Sequence, residues 1–289
     1  MDIWLQSIVN GLFMGGIYAL VAIGLTMIFG VLKIINFAHG EFMMLGMFMT
    51  FFLVTEAGWN PYLTLPVVFI VLFFLGAFLQ KVLISKIQGD TVLNSILLTA
   101  GLSLFILNGM MVVFSPDNRR YSFDWSHSFL EAGNVIFNVP RFIAFLGGVI
   151  LCIALYLFIQ KTRTGKSIRA AAQNKEGALL SGIDVDKAYM IAFGLGVALA
   201  GVAGSLISTY YFINPRSGQP FALVTFVVVV LGTMGNFMGA LIGGLIIGVV
   251  ENLSVMFWSP SLRQVASYSI FILILLFKPQ GIFGGKANE

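Results

Sequence analysis

"IVNGLFMGGIYALVAIGLTMIF", residues 8–29, is a long apolar run near the start of the chain. A helix needs about 20 apolar residues to cross the hydrocarbon core of a bilayer, and this run supplies them. Further apolar runs follow at 42–54, 62–80, 92–114, 142–160, 188–212, 222–250 and 265–277. The pattern predicts an all-α polytopic membrane protein with about eight membrane-spanning segments.

The composition supports the same class of protein. The chain is 58% hydrophobic and 10% charged, whereas soluble domains carry about 25% charged residues. A β-barrel, the other structure that spans membranes, would show short alternating strands instead of continuous runs. The first run lacks a basic leader and is too long for a signal peptide, so we interpret it as a retained span. We expect one membrane domain over residues 1–289.

The basic residues predict the orientation, because lysine and arginine gather on the cytoplasmic side of a membrane. Five of the sixteen lie between Lys161 and Lys175, so we place the loop at about 161–187 in the cytoplasm. Alternating sides at each span puts the N-terminus and the loop at about 115–141 outside, and the C-terminus in the cytoplasm. Eleven basic residues then lie inside, and those outside are Arg119, Arg120, Arg141, Arg216 and Arg263.

The run at 222–250 is interrupted by "GTMGNFMG", residues 232–239. Each half has about ten to twelve apolar residues, which as helix is roughly half a bilayer. We therefore favour a re-entrant or broken segment. The alternative is a bent pair of tilted spans with a short inner turn. Non-helical backbone at membrane depth is tolerated only where protein or a water-filled cavity surrounds it.

A second interruption is "FGVLKIINFAHGEF", residues 29–42, which precedes an apolar run too short to cross alone. Starting the next helix near Asn36 supplies the missing length but carries polar side chains towards the membrane. In the simpler interpretation Asn36 caps the helix, Glu41 complements the helix dipole and His39 lies in the headgroup layer.

Two interrupted, glycine-bearing segments, one in each half of a chain, point to a substrate path in folds with inverted repeats. The candidate path residues are Asn36, His39, Gly40, Glu41, Gly232, Gly235 and Asn236.

Small residues recur at four-residue intervals in two later runs. This spacing lets helix backbones approach closely inside a membrane. We favour close packing within one subunit over a dedicated dimer seam. The residues are Gly196, Ala200 and Gly204, then Gly235, Gly239 and Gly243, with Gly244 and Gly248 beside the second set.

The sequence offers no catalytic cluster, no metal site and no cofactor motif. His39 and His127 fall on opposite sides of the predicted membrane, and the single Cys152 excludes a C-x-x-C pair. Thr-Gly-Lys-Ser at 164–167 resembles the end of a P-loop, but Gln160 replaces the first glycine and a span replaces the strand. The acids lie in loops or at span ends, with Glu251 just beyond its helix, so we expect the energy source to lie in another protein.

The basic loop contains a helix-permissive run from Lys166 to Ser181, with expected breaks at Gly177 and Gly182. Leu179, Leu180 and Ile183 are apolar residues with little use in a solvated connector. We therefore expect a short cytoplasmic helix that docks in a groove of a soluble partner.

Four segments carry a resemblance to a known family that spans essentially the whole chain. They are "GLTMIFGVLKIINFAHGEFMMLG" (24–46), "TGKSIRAAAQNKEGALLSGIDVDKAYMIAFGLGVALAGVAGSL" (164–206), "GTMGNFMGALIGGLIIGVVENL" (232–253) and "LLFKPQGIFG" (275–284). The chain resembles the permease subunits of bacterial branched-chain amino acid ABC transporters, of the LivH type.

The resemblance implies a multi-pass subunit of an importer in the bacterial inner membrane, without an ATPase site of its own. Its expected partners are a second, LivM-like permease, two cytoplasmic ATP-binding subunits, an extracytoplasmic solute-binding protein and membrane lipid, with no nucleic acid. The implied substrates are leucine, isoleucine and valine. The alternatives are urea, short amides or other amino acids, or a carrier or channel that works without an ATPase.

The same resemblance implies that the central loop holds the coupling helix that contacts the ATPase. The residues that match are Arg169, Ala170, Ala171, Glu176, Ala178 and Gly182.

Overall fold

A computed structural model describes residues 3–89, 91–133, 135–257, 259 and 262–284. The two ends of the predicted unit at 1–289 lie outside the described residues. The α-helices and β-strands are α1 (Ile3–Leu32), α2 (His39–Thr55), α3 (Leu65–Val82), α4 (Val92–Phe114), β1 (Phe129–Ala132), β2 (Val135–Asn138), α5 (Val139–Lys161), α6 (Arg163–Gln173), α7 (Lys175–Leu180), α8 (Val185–Ser208), α9 (Gly218–Leu231), α10 (Phe237–Phe257) and α11 (Arg263–Phe277). Short 3-10 helices at Pro61–Thr64 and Ile84–Ile87 flank α3.

Six helical stretches of the described residues are long and apolar enough to cross a membrane. They are α1, Pro61–Ile87 around α3, α4, α5, α8 and α10. The apolar helices α2, α9 and α11 are shorter, at 17, 14 and 15 residues. The prediction of an all-α polytopic membrane protein is confirmed. In the described residues the loop at 115–141 adds one antiparallel hairpin, in which β1 pairs with β2.

The helix ends lie on two opposite faces. α1 and α10 run antiparallel, because Gly11 contacts Val249 at one end and Gly30 contacts Gly235 at the other. We call the face where α1 begins the N-face and the face where it ends the C-face. Gln6 exchanges two hydrogen bonds with Ile136, of 2.6 and 2.9 Å, so the hairpin lies on the N-face.

The basic loop lies on the C-face with the end of α1, because Val31 and Ile168 line one cavity there. The carboxyl end of the described chain is there too, since the N–H of Ile282 donates to the carbonyl of Leu231 over 2.9 Å. The loops are therefore grouped as the alternation of spans predicted. Which face meets the cytoplasm stays a prediction.

The helices α1 and α8 form the interior of the molecule. Each is 83% buried over its most apolar window, whereas the corresponding figure is 11% for α4. An apolar helix exposed to this degree must be covered by lipid or by another membrane protein, since water would not solvate it.

The predicted packing of small residues within one subunit is confirmed. A Cβ on Gly196 would lie 2.8 Å from the carbonyl oxygen of Gly24, and one on Gly204 would collide with the carbonyl of Met43. Gly244 and Gly248 approach α1 in the same way, against Ala19 and Gly11. Such contacts bring helix backbones together where apolar side chains gain little from leaving lipid.

The run at 222–250 is broken where predicted, but its second part is not half-length. α9 ends at Leu231 and α10 begins at Phe237, then continues for 21 residues to Phe257. That is about 31 Å, enough to cross. The break lies against Gly30 at the C-face. The prediction of half-length was wrong for α10, because this helix continues through the polar pair Glu251 and Asn252. α9, at 14 residues or about 21 Å, is shorter than a full span.

The basic loop folds into two helices, and the break between them lies at Asn174 and not at the predicted Gly177. Thr162 caps α6 by accepting the N–H of Gly165 over 3.0 Å. Asn174 has an extended backbone and caps α7 by accepting the N–H of Gly177 over 2.9 Å. Gly177 therefore lies inside α7, because the side chain of Asn174 supplies the start of a new helix. Gly182, with φ of +75°, follows the end of α7 as predicted.

Candidate translocation path and coupling surface

The first interrupted segment turns the chain back into the protein after α1. Lys33 adopts a positive φ of 59°, residues 33–36 are not helical, and α2 begins at His39. Asn36 is fully buried, and its side-chain oxygen accepts the N–H of Ala38 over 3.1 Å. The prediction that Asn36 caps the helix was wrong, because the cap residue of α2 is Ala38 and no side chain caps this end. Asn36 holds the turn that precedes the helix.

Thr99 of α4 holds the peptide groups of this unwound segment. Its hydroxyl oxygen accepts the N–H of Phe37 over 3.2 Å and lies 3.0 Å from the carbonyl oxygen of Ile35. Buried backbone groups outside a helix need such partners. Thr99 was not predicted from the sequence, because its role depends on which helix lies beside the break.

His39 is buried in the protein, so the prediction that it lies in the headgroup layer was wrong. Its Nε2 lies 2.9 Å from the carbonyl oxygen of Val21, a point about 16 Å along α1 from Leu32. A carbonyl can only accept, so Nε2 carries the proton and Nδ1 is an acceptor. Nδ1 has no hydrogen-bond partner among the described residues.

Gly40 and Glu41 complete the first cluster of candidate path residues. A Cβ on Gly40 would lie 2.5 Å from the carbonyl oxygen of Gly218, so the starts of α2 and α9 meet at backbone contact. Glu41 is 3% exposed, and its Oε2 has no hydrogen-bond partner among the described residues. An acid buried at membrane depth is costly, which makes it a functional candidate.

The second interrupted segment joins α9 to α10. Thr233 and Gly235 have φ of 71° and 88°, and the side-chain oxygen of Asn236 accepts the N–H of Gly239 over 3.0 Å. Asn236 is therefore the cap of α10. Gly232 packs backbone to backbone on Gly239, and a Cβ at either position would collide with the other. The turn is compact and depends on glycine.

A cavity of about 450 Å³ opens at the C-face between this turn, the end of α1 and α6. It brings together the coupling candidate Arg169 and the path candidates Gly235 and Asn236. Lys33 also lines it, and the buried Nε of Arg169 has no hydrogen-bond partner among the described residues. A movement of α6 would therefore change the surroundings of the α9–α10 turn directly.

Two smaller cavities follow the seam between α1 and α9 towards the N-face. One of about 30 Å³ is apolar and includes Leu25, Ile35, Val229 and Met234, so it touches both interrupted segments. The other, of about 200 Å³, lies near the start of α9 beside Phe221. The apolar cavity shares Met234 with the C-face cavity, and the third cavity lies further along α1, at Met14 and Tyr18.

The remaining coupling candidates are divided between a packed face and an exposed one. Ala171 and Ala178 are each 3% exposed, and Ala170 is half-buried. Glu176 and Gly182 are exposed. The two predicted apolar contacts at the end of α7 are open to solvent, at 53% for Leu179 and 91% for Leu180.

Glu251 is a residue whose position was predicted wrongly. It lies inside α10, not beyond it, and is fully buried. Its Oε2 accepts hydrogen bonds from the hydroxyl of Tyr18 over 2.6 Å and from Nε of Arg263 over 3.1 Å, and its Oε1 accepts from the hydroxyl of Ser267 over 2.6 Å. A helix can contain an acid at this depth because these partners replace water.

The described residues contain no group of three or more His, Cys, Asp or Glu side chains arranged to hold a metal ion. The arrangement offers instead interrupted helices, cavities along a seam and an exposed helical loop. These features define a polytopic α-helical membrane protein with a candidate transport path.

Residues 7–275 match the family described as branched-chain amino acid transport system / permease component, and the chain belongs to that family. It is 32% identical to the high-affinity branched-chain amino acid transport system permease protein LivH of Escherichia coli, over 99% of this chain and 97% of the relative. It is 31% identical to the permease protein BraD of Pseudomonas aeruginosa over the same shares.

The probable branched-chain amino acid permease LivH of Methanocaldococcus jannaschii is 32% identical, over 92% of this chain and 88% of the relative. No solved structure gives a significant match.

Proposed function

We propose that this chain is a membrane-spanning permease subunit of an ABC importer and contributes the translocation path for leucine, isoleucine and valine. The observation that carries the proposal is the family match over residues 7–275, with relatives named as branched-chain amino acid permeases along nearly the whole chain. In this proposal residues 1–289 act as one permease domain, without an ATPase site of their own.

The path follows the seam between α1 and α9. Its narrow middle is apolar, with Leu25, Phe226 and Val229 around a cavity of about 30 Å³. Apolar walls let a branched side chain pass weakly bound, so that selection is left to a soluble binding protein. The candidate path residues flank this seam, Asn36 and His39 at one break and Gly235 and Asn236 at the other.

The partners are a second, LivM-like permease, two cytoplasmic ATP-binding subunits and an extracytoplasmic solute-binding protein, in the bacterial inner membrane. The nearly unburied apolar helix α4 supports a membrane partner or lipid at that surface. The N-face, with the 115–141 loop, receives the binding protein, and the C-face receives the ATPases.

Coupling to ATP hydrolysis runs through the loop at 161–187. Exposed Leu180 and Leu179 offer an apolar contact to an ATPase groove. Arg169, on the other side of the same loop, lines the cavity that holds Gly235 and Asn236. Closure of the ATPases pulls on α6 and α7, and the α9–α10 turn switches access between the two faces.

The test is to co-purify the tagged chain from its native membrane and measure ATP hydrolysis in proteoliposomes with the binding protein. Leucine, isoleucine and valine should each stimulate hydrolysis, and urea and short amides should not. Stimulation by urea alone would favour the amide alternative. Leucine uptake by the purified chain without ATPase subunits would make it a carrier and contradict the proposal.

A further inference from the structure

A polar cavity of about 200 Å³ lies on the N-face, between α1, α9, α10 and α11. Its walls include Met14, Tyr18, Tyr211, Phe221, Glu251 and Arg263. Glu251 and Arg263 are the charged side chains among the described residues that line it. A cavity with one acid, one base and aromatic walls is unusual in a chain with so few charged residues.

Glu251 fixes the position of Arg263. The carboxylate is fully buried and accepts hydrogen bonds from Tyr18, Ser267 and Arg263. The side chain of Arg263 is 31% exposed and lines the cavity, so the guanidinium is bound by Glu251 through Nε while part of the side chain remains accessible. A buried acid that neutralises and orients an arginine leaves the arginine in one geometry, at little further cost in side-chain entropy on binding.

The guanidinium of Arg263 keeps hydrogen-bond donors for a ligand. It has five N–H donors, and its contacts with the described residues use Nε. The two remaining nitrogens form a fork that matches the two oxygens of a carboxylate. The cavity therefore carries a carboxylate-binding group that its own acid does not saturate.

Aromatic rings provide the rest of the wall. The ring of Phe221 lies 5.7 Å from that of Tyr211 and 6.0 Å from that of Tyr18. Aromatic faces attract an ammonium group and also pack against aliphatic side chains. A molecule with a carboxylate, an ammonium group and an apolar side chain therefore matches this cavity. Its carboxylate pairs with the guanidinium of Arg263, and its other two groups contact the aromatic rings.

We propose that this cavity is a binding site for an α-amino carboxylate, with Arg263 binding the carboxylate and Tyr18, Tyr211 and Phe221 surrounding the remainder. The inference rests on the proposed function, since it names the place where the permease receives its substrate. Tyr18 is one helical turn from Val21, whose carbonyl binds His39. The site therefore lies one turn of α1 from the residue that contacts the first interrupted segment.

The test measures equilibrium binding of radiolabelled leucine to the purified permease pair with its ATPase subunits, without the binding protein. Arg263→Lys keeps a positive charge beside Glu251 but loses the fork, and should weaken leucine binding about tenfold or more. Arg216→Lys is the control, because Arg216 is an exposed arginine at the same end of the protein. It should leave the affinity unchanged.

Leucinamide, which lacks the carboxylate, separates recognition from a general structural effect. The wild type should bind it more weakly than leucine, and Arg263→Lys should weaken it no further. Equal losses for leucine and leucinamide, or no loss for leucine, would overturn the inference.

The same binding measurements also distinguish a failure of this inference from a failure of the proposed function. If the wild type binds leucine and Arg263→Lys is without effect, the inference alone fails. If it binds another α-amino acid with the same dependence on Arg263, the inference stands and the branched-chain assignment fails. If it binds solutes without a carboxylate and no amino acid, both fail.

Discussion

Gly46 carries a close backbone contact between α2 and α8, and a side chain there has no space. A Cβ would collide with the backbone of Gly201. Gly46→Leu should therefore destabilise the protein by about 1–3 kcal/mol or more, because two helices must move apart. The measurement is the midpoint of thermal unfolding of the purified protein in detergent.

Gly101→Leu is the matched control for this prediction. Gly101 is also a helical glycine, in α4, but no atom lies within 4 Å of its added Cβ. Glycine is less favourable in a helix than alanine by about 0.8–1.0 kcal/mol, and leucine ranks just below alanine, so this variant should melt no earlier than the wild type. Equal destabilisation by the two substitutions would contradict the packing at Gly46.

Residues whose role follows from local spacing were predictable from the sequence, and residues whose role depends on distant contacts were not. Gly196 and Gly204 were predictable as packing residues, because their spacing is a local property of one helix. Thr99 and Glu251 were not, since each depends on neighbours far away in the chain: Thr99 on the peptides at 35–37, and Glu251 on Tyr18. His39 was placed in the headgroups for the same reason, since no local signal reveals that α2 starts beside Val21.

At the scale of elements, we expect the α9–α10 turn to act as a hinge whose function depends on glycine at position 235. Gly235 has φ of +88°, and a non-glycine residue there costs about 1–2 kcal/mol. A Cβ on Gly235 would lie 3.4 Å from the Cα of Gly30, an ordinary van der Waals contact, so the cost comes from the backbone conformation. Gly235→Ala should reduce leucine uptake per ATP hydrolysed, measured in proteoliposomes of the assembled transporter.

Gly58→Ala controls for the backbone cost alone. Gly58 has φ of +68° and no atom within 4 Å of an added Cβ. It should lose a similar amount of stability while keeping the ratio of uptake to hydrolysis. If both variants keep that ratio, the turn is not part of the transport cycle.

We expect the exposed leucine at the end of α7 to contact the ATPase subunits. Leu180 is 91% exposed, so Leu180→Glu breaks no internal packing. Burying a leucine is worth about 1.5–3 kcal/mol, so its replacement should weaken association with the ATPase subunits about tenfold or more. The measurement is co-purification with the ATPases from solubilised membranes, with the amount of permease held equal.

Trp125→Glu is the control for the leucine substitution. Trp125 is 51% exposed and belongs to the 115–141 loop on the opposite face, so this variant should keep its ATPases. Ala171→Glu would be a poor test, because Ala171 is 3% exposed and a charge there would disturb the packing of α6. Loss of ATPases from both exposed variants would mean that added charge, and not the lost contact, is responsible.

The helix lengths explain why the whole architecture was more predictable than its details. Continuous apolar runs predicted where the membrane helices lie, because a full span needs about 20 apolar residues, although α2, α9 and α11 are shorter. The predicted ends of the helices were wrong where polar residues lie inside a helix or cap it. α10 passes through Glu251 and Asn252 without ending, and α6 ends at a capping asparagine instead of at a glycine.

For the whole molecule, the distribution of basic residues predicts that the C-face meets the cytoplasm. Two exposed serines mark the faces: Ser181 follows α7, and Ser122 belongs to the 115–141 loop. The single native Cys152 is 1% exposed, so the wild type should not react with a membrane-impermeant maleimide. In intact spheroplasts Ser122→Cys should be labelled and Ser181→Cys should not, and inverted vesicles should reverse the pattern. The opposite labelling would place the basic loop outside the cell, where no ATPase could reach Leu180.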